Sequence, residues 1–159
     1  MTSVQRQVSI VTTFQRPDLA PTTGKWRWEA FFKDDGIGLS DVMQQEEAAA
    51  ASGDLRPTVL VMLDDDRPVG MVTLCLDDLE ERPDLNPWLA GLYVAPEHRG
   101  KGYALRLIEA LEALARGAKI GRLSLYTASA VKLYQRAGWT TTETFDHADE
   151  RFSIMQKTL

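Results

Sequence analysis

Apolar and polar positions in this chain form two kinds of pattern: short apolar runs, and a longer run with helical spacing. Five short runs have the character of β-strands and end near turn-forming residues: residues 8–13, 59–63, 69–76, 88–95 and 122–127. A helix is predicted to begin near Ala104 and to stop at Gly117. Its apolar residues recur at positions 104, 107, 108, 111, 114 and 115.

Two further helices are predicted between the first and second strands. They cover residues 26–33 and 39–51, with Ser40 as the N-cap of the second helix and Gly53 as its stop. Residues 64–68 contain three aspartates, an arginine and a proline, and they predict a hairpin turn. We interpret the aspartates as a solvated turn in preference to a metal site.

The C-terminal part is predicted to hold one more helix, around Tyr134, and a closing hairpin of residues 139–145 and 152–157. In this hairpin Phe152 and Ile154 share one face, whereas Met155 lies on the other. The predicted order is β-α-α-β-β-β-α-β-α-β-β, an α/β arrangement. With 159 residues and no repeat or low-complexity linker, the chain is expected to form one domain.

Composition narrows the classes of partner. A formal charge of -5, from 18 basic and 23 acidic residues, argues against a nucleic-acid-binding surface. Cys75 is the one cysteine, so no internal disulfide is expected, and its apolar run favours a buried thiol. His98 and His147 without a cysteine pair predict no zinc site. With no apolar leader or membrane-length run, we expect a cytoplasmic protein with no membrane partner.

The most informative segment lies between the strand at residues 88–95 and the helix that follows it. It consists of Arg99, Gly100, Lys101, Gly102, Tyr103 and Ala104. The two glycines permit a tight turn and let several backbone N–H groups approach one anion, while the dipole of the following helix adds positive potential. A loop in this position predicts a phosphate-binding site.

Spacing separates three kinds of nucleotide loop. Leu105 stands where a dinucleotide-binding fingerprint needs its third glycine. A P-loop needs a glycine and a hydroxyl residue where this chain has Ala95 and Gly102. The pattern that fits is Arg, two residues, Gly, one residue and Ala, formed by Arg99, Gly102 and Ala104. It is similar to the pyrophosphate loop of the GNAT acetyltransferases.

The resemblance to the GNAT acetyltransferases extends from about residue 9 to the C-terminus. Residues 92–104 resemble the family's strand, loop and helix in register. Residues 130–139, with the sequence Ala-Val-Lys-Leu-Tyr-Gln-Arg-Ala-Gly-Trp, resemble its second signature. The resemblance implies that residues 1–159 form a single GNAT N-acetyltransferase domain, with a twisted mixed β-sheet flanked by helices.

The resemblance also implies a donor and a site. Acetyl-CoA is the expected co-substrate, without a metal, and the backbone of Leu92, Tyr93 and Val94 is expected to pair with the pantetheine arm as an added strand. The loop at residues 99–104 is expected to hold the pyrophosphate, chiefly through backbone amides. By analogy with the second signature, the Tyr134 hydroxyl gives a proton to the CoA sulfur. A tyrosine at this place on a helix can also simply pack in the core.

The expected function is direct transfer of an acetyl group from acetyl-CoA to a primary amine of a small-molecule or peptide acceptor. The alternative is a domain that binds acyl-CoA without catalysing transfer, as a sensor or partner module. The presence of Tyr134 favours the enzyme. A third hypothesis, a nucleotide enzyme, predicts ATP binding. The acceptor and the oligomeric state do not follow from the sequence, although members of the family often form homodimers.

No general base is identified in the sequence. The strand at residues 88–95 contains no acid, and five acidic residues before it are interpreted as a solvated connecting loop: Asp77, Asp78, Glu80, Glu81 and Asp84. Thr127 stands where the family often has asparagine. Four aromatic residues lie where the family builds part of its acceptor pocket, but their helical spacing favours the core: Trp26, Trp28, Phe31 and Phe32.

Overall fold

The computed structural model describes residues 7–159; residues 1–6, a short polar tail in the sequence, lie outside the described residues. Within these residues, seven strands form one sheet: β1 (Val8–Thr12), β2 (Thr58–Asp64), β3 (Arg67–Cys75), β4 (Trp88–Val94), β5 (Arg122–Thr127), β6 (Thr140–His147) and β7 (Glu150–Thr158). Their spatial order is β1-β2-β3-β4-β5-β7-β6. Neighbouring strands are antiparallel except β4 and β5, which are parallel. This is the mixed sheet that was expected.

In the part of the chain that the structure describes, four α-helices flank the sheet: α1 (Ala20–Arg27), α2 (Leu39–Ala51), α3 (Tyr103–Gly117) and α4 (Val131–Arg136). α1 begins earlier than the predicted helix at residues 26–33 and continues into a π-helical turn, Trp28–Phe32. Pro21 lies in the first turn of α1, where a missing N–H is tolerated. The residues that follow it, Thr22, Thr23 and Gly24, are weak helix formers, so the sequence pattern does not indicate that the helix begins here. Among residues 7–159 no helix is long and apolar enough to cross a membrane.

The predicted cap signals of α2 are wrong in detail. The helix begins after Gly38, whose carbonyl accepts the N–H of Val42 at 3.3 Å, so Ser40 lies inside the first turn and is not the N-cap. At the other end, Ser52 leaves the helix in an extended conformation, and Gly53 follows it without forming the cap. Backbone groups close both ends without a side-chain cap.

The hairpin predicted at residues 64–68 is confirmed and is tighter than the sequence indicated. β2 ends at Asp64 and β3 begins at Arg67, so Asp65 and Asp66 alone form the turn. Their φ angles of 50° and 71° are left-handed, a conformation that aspartate tolerates better than most residues and that matches the twist of a two-residue hairpin.

The two faces of the sheet are covered by different helices. α3 and α4 cover one face, and the predicted apolar stripe of α3 is buried there at Leu107, Ile108, Leu111 and Ala115. α2 and the segment that leads into α1 pack on the other face, against β2. Met155 packs with α3, whereas Ile154 joins a cluster on the opposite face with Leu85 and Trp88. This confirms the division of faces predicted for the closing hairpin.

Candidate functional site

The parallel strands β4 and β5 separate soon after they begin. Their register contains one pair, Trp88 with Ser124, and the Ser124 N–H also donates to the Pro87 carbonyl oxygen at 3.2 Å. Beyond this pair, the edge of β4 that faces β5 has no strand partner among residues 7–159. The resulting gap presents backbone N–H and C=O groups with which an extended ligand can pair as an added strand.

Alternation along β4 decides which backbone groups face this gap. The Ala95 N–H donates to the Val69 carbonyl oxygen of β3 at 2.9 Å, so the backbone groups of Ala95 point towards β3. Because this direction alternates along a strand, the groups of Val94 and Leu92 point into the gap. Those of Tyr93 point towards β3.

A β-bulge lies in β4 beside the gap. The register between β3 and β4 shifts so that Val72 is opposite both Gly91 and Leu92. Gly91 has a φ angle of 61°, which is left-handed and costs glycine little. Next to Gly91, the Leu92 N–H points into the gap by the alternation along β4, so it can donate to a ligand oxygen. The sequence signal for the bulge was a glycine inside an apolar strand.

The glycine-rich loop leads from β4 into α3. Gly100 and Gly102 have φ angles of 80° and 79°, and a Cβ added to either would meet no atom within 4 Å. The backbone conformation, and not crowding, therefore favours glycine at both positions.

The first residues of α3 extend this loop into a row of free donors. The backbone N–H groups of residues 100–105 form no hydrogen bond with any described residue, and the first N–H that does, in Arg106, donates to the Gly102 carbonyl oxygen at 3.2 Å. Such groups lack acceptors within a helix because the chain before the helix turns away. Six adjacent donors at a helix N-terminus can bind phosphate oxygens.

The two cationic side chains of the loop differ in their surroundings. The Arg99 Nε atom donates to the Val94 carbonyl oxygen at 2.9 Å, and the guanidinium carbon lies 5.7 Å from the centroid of the Tyr93 ring. Lys101 is exposed, with its Nζ atom 5.9 Å from the centroid of the Tyr103 ring. Arg99 is therefore tied to β4, whereas Lys101 projects into solvent.

Tyr134 lies on α4, on the face of the sheet that α3 covers. The residue is 6% exposed, and its ring packs against Trp139 with a centroid distance of 6.0 Å. Burial raises the pKa of its hydroxyl, which therefore stays protonated at neutral pH. The hydroxyl has no hydrogen-bond partner among residues 7–159 and is not one of their fully buried polar atoms, so it reaches the surface. Tyr134 is both a core residue and an available proton donor.

Both ends of α4 are fastened to the rest of the molecule. At its start, the Ala130 N–H donates to the Thr127 hydroxyl oxygen at 3.1 Å. Beyond its end, the Trp139 indole N–H donates to Glu112 at 3.2 Å, and Lys157 donates to the same carboxylate at 2.6 Å. Glu112 is 2% exposed, so this carboxylate is a buried charge that depends on its partners. These contacts fix the helix that carries the hydroxyl.

Four aromatic rings form a wall on the opposite face of the sheet, where the gap begins: Trp88, Tyr126, Phe145 and Phe152. The centroids of Trp88 and Tyr126 are 6.1 Å apart, and Phe145 and Phe152 stack at 5.2 Å. Trp88 is buried, but the other three rings are half-buried. This wall can contact the apolar part of a substrate.

Asp78 lies beside this wall and is not the solvated loop residue that the sequence suggested. It is half-buried, and desolvation raises its pKa to about 6, while the Arg27 guanidinium of α1 acts to lower it. Burial likewise raises the pKa of Cys75 to about 12 and that of Tyr126 to about 12, and the Asp78 carboxylate adds to both shifts. Cys75 is half-buried rather than fully buried.

The aromatic residues of the first helical segment do not form part of the core, contrary to the expectation from their spacing. Phe31 is 43% exposed, and the other three, Trp26, Trp28 and Phe32, are half-buried. A π-helical turn at Trp28–Phe32 changes the angle between successive side chains, so the helical spacing no longer defines one buried face. Trp26 packs against the Tyr93 ring at 5.3 Å and so connects α1 to β4.

The parallel pair β4 and β5 is therefore open, and a glycine-rich loop at a helix N-terminus follows β4. The chain belongs to the acetyltransferase (GNAT) family, whose sequence profile matches residues 21–139. This confirms the resemblance carried by the two motifs. No curated protein is a detectable sequence relative of the chain.

Solved structures share the fold at low sequence identity. A ribosomal-protein-alanine N-acetyltransferase from Brucella melitensis matches with a TM-score of 0.71 at 21% identity, covering 96% of this chain and 99% of that one. An acetyltransferase from Salmonella typhimurium, solved with its cofactor acetyl-CoA, has a TM-score of 0.69 at 16% identity and covers 98% and 94%. An aminoglycoside 6'-N-acetyltransferase complexed with coenzyme A has a TM-score of 0.74 at 15% identity and covers 94% and 96%.

Proposed function

We propose that this protein transfers an acetyl group directly from acetyl-CoA to a primary amine of a small-molecule or peptide acceptor in the cytoplasm. The observation that carries the proposal is the row of six unpaired N–H groups, residues 100–105, beside the gap between β4 and β5. Family membership limits the reaction to an acyl transfer. The neighbours solved with acetyl-CoA and coenzyme A support the choice of donor.

The residues around the gap suit an acyl-CoA. The N–H groups of residues 100–105 would hold the pyrophosphate, and Arg99 and Lys101 add positive charge nearby. The backbone groups of Leu92 and Val94 would pair with the pantetheine amides. Tyr93 contributes its ring, which lies under the Arg99 guanidinium. Binding energy from these contacts, remote from the reacting atoms, positions the reacting end.

Acetyl-CoA supplies an activated acyl group and a thiolate leaving group. The Tyr134 hydroxyl, protonated because burial raises its pKa, donates a proton to the departing sulfur. A backbone N–H beside the bulge at Gly91 donates to the oxygen on which negative charge develops. Neither role uses a metal.

Thiol release from acetyl-CoA, measured for the wild type and Tyr134→Phe, tests this proposal. The acceptors are spermidine, phenethylamine, kanamycin, alanine, and a peptide with a free N-terminus and a lysine. We expect at least one amine to raise turnover above hydrolysis, with the acetylated product identified by mass spectrometry. In Tyr134→Phe, kcat with that amine should fall by about 100-fold or more, because the ring is kept and only the donor is lost.

Calorimetry with acetyl-CoA separates the enzyme from the alternatives. If the wild type and Tyr134→Phe bind acetyl-CoA with equal affinity but only the wild type turns over at the full rate, the proposed role of Tyr134 is supported. Tight binding with the same background turnover in both proteins, and no amine effect, would instead favour a non-catalytic acyl-CoA module. Displacement of acetyl-CoA by ATP would favour a nucleotide enzyme.

A further inference from the structure

A row of three residues marks the place where the gap between β4 and β5 begins. Cys75 of β3 pairs with Trp88 of β4, and Trp88 pairs with Ser124 of β5. Beyond this row the two parallel strands are no longer joined. A residue held next to the row, on the face where α1 lies, therefore borders the mouth of the gap.

The connection between β3 and β4 is clamped onto this row. The Asn86 Oδ1 atom accepts hydrogen bonds from the Asp77 backbone N–H at 2.8 Å and from the Trp88 indole N–H at 2.7 Å. The Asn86 amide also donates to the Asp77 carboxylate at 2.9 Å. One side chain thus joins the beginning of the connection, its end and the Trp88 ring. Asp78 follows the clamped Asp77 directly, so its backbone lies next to this clamp at the mouth of the gap.

Charged and titratable groups from three other elements interact electrostatically with Asp78: Arg27 of α1, Cys75 of β3 and Tyr126 of β5. Asp77 and Glu81 of its own connection act on the same cluster. The Arg27 guanidinium is anchored 3.0 Å from Glu46, a fully buried carboxylate of α2. Asp78 itself forms no hydrogen bond or ion pair with another described residue, so its oxygens are available to a ligand.

We propose that Asp78 accepts the proton of the acceptor amine, a role that rests on the proposed acetyl transfer. The amine nitrogen forms a bond to the thioester carbonyl carbon and the carbon–sulfur bond breaks. The amine proton passes to the Asp78 carboxylate, and the sulfur takes the Tyr134 hydroxyl proton. Asp78 then releases its proton to solvent, and Tyr134 regains one. The two residues act from opposite faces of the sheet, because α1 lies on the Asp78 side and α4 on the other.

The protonation states of the surrounding groups agree with this assignment. Cys75 and Tyr126, each with a pKa of about 12, are protonated at neutral pH and cannot accept a proton. Asp78, with a pKa of about 6, is ionised above that pH and is a stronger base than an exposed aspartate. Its negative charge also attracts a cationic amine to the mouth of the gap, where the ammonium gives one proton to solvent and then attacks as the neutral amine.

The test compares Asp78→Asn with Glu80→Gln, which neutralises an exposed acid of the same connection. For the amine in the panel that gives the highest wild-type turnover, kcat/KM is measured from pH 5 to pH 9. We expect the wild type to show an acidic limb with a midpoint near pH 6. Asp78→Asn should lose this limb and about 100-fold in kcat/KM at pH 7.5, whereas Glu80→Gln should match the wild type. Asp78→Glu should regain part of the activity and the limb.

Four outcomes would overturn the assignment. If Asp78→Asn has the kcat/KM of the wild type, Asp78 is not the proton acceptor. The same conclusion follows if Asp78→Asn is slower but its pH profile keeps the acidic limb. A variant with weaker acetyl-CoA binding by calorimetry, or with a lower melting temperature at pH 7.5, indicates a structural role instead. Absence of amine acetylation by the wild type overturns the proposed function, and this inference with it. The two failures are distinguishable, because a failure of the Asp78 assignment alone leaves an active wild type, whereas a failure of the proposed function leaves the wild type inactive.

Discussion

The Arg99 Nε atom donates a hydrogen bond to the Val94 carbonyl oxygen at 2.9 Å, at the edge of β4 that faces the gap. This carbonyl is one of the groups with which the pantetheine arm is proposed to pair. The arginine therefore shares an acceptor with the proposed ligand, and its charge is held at the end of β4 by the Tyr93 ring. A carbonyl oxygen has two lone pairs and can serve both donors.

Removal of the Arg99 side chain is expected to have a limited effect. In Arg99→Met the acetyl-CoA Kd should rise by less than about 10-fold, or about 1.4 kcal/mol, with kcat unchanged, because the backbone amides of residues 100–105 are the proposed phosphate ligands. Calorimetry and steady-state kinetics measure the two quantities, with the exposed Lys101→Met as the comparison. A loss of about 100-fold would mean that the guanidinium itself is the principal phosphate ligand.

Replacement of either loop glycine by alanine should weaken acetyl-CoA binding by about 5- to 30-fold. The left-handed conformation of Gly100 and Gly102 costs an alanine about 1–2 kcal/mol, and the open surroundings let the free loop relax, so the cost falls on binding. Gly117→Ala is the control, because Gly117 ends α3 in open space without a left-handed φ angle. An unchanged Kd in Gly100→Ala and Gly102→Ala would contradict the proposed pyrophosphate loop.

Loss of Lys157 should destabilise the protein strongly. Lys157→Met leaves the buried Glu112 carboxylate with only the Trp139 indole at 3.2 Å and Arg116 at 3.5 Å, and we expect a loss of about 3 kcal/mol in the free energy of unfolding in urea. Adding Glu112→Gln to this variant removes the uncompensated charge, so the double variant should recover part of the loss. A double variant less stable than Lys157→Met would show that the charge is not the cause.

The stability of the protein should depend on the ionisation of Asp78. Its folded pKa, about 6, lies above the unfolded value of 3.8, so the folded state holds this proton more tightly and loses stability as pH rises between about 4 and 6. Above pH 6 the full cost, on the order of 1–3 kcal/mol, is present. Asp78→Asn should therefore match the wild type near pH 4 and melt at a higher temperature at pH 8. A lower melting temperature at pH 8 would contradict the raised pKa.

Much of the fold was predictable from short stretches of sequence. The strands, the apolar stripe of α3, the hairpin at residues 64–68 and the opposite faces of Ile154 and Met155 all follow from local periodicity and turn chemistry. The start of α1 was missed, because Thr22, Thr23 and Gly24 are weak helix formers and tertiary packing overrides their propensity.

The candidate site divides in the same way. The loop and the Tyr134 helix were recognisable because a glycine-rich turn and the end of a helix depend on residues that are adjacent in sequence. The gap after Trp88 and the surroundings of Asp78 were not, since they depend on contacts between distant segments. In the sequence, Asp78 does not differ from the acidic residues around it. The contact that holds its segment against the sheet is the hydrogen bond from Asn86 to Asp77, which forms only in the folded protein.

The family, the glycine-rich loop and the order of the elements could be recognised without a structure, because each depends on the spacing of nearby residues. Three other properties depend on long-range contacts: the open edge of β4, the packed ring and available hydroxyl of Tyr134, and the partial burial of one carboxylate, Asp78, among the five in its connection. Pairing between distant strands and desolvation set these properties, and neither leaves a periodic mark along the chain.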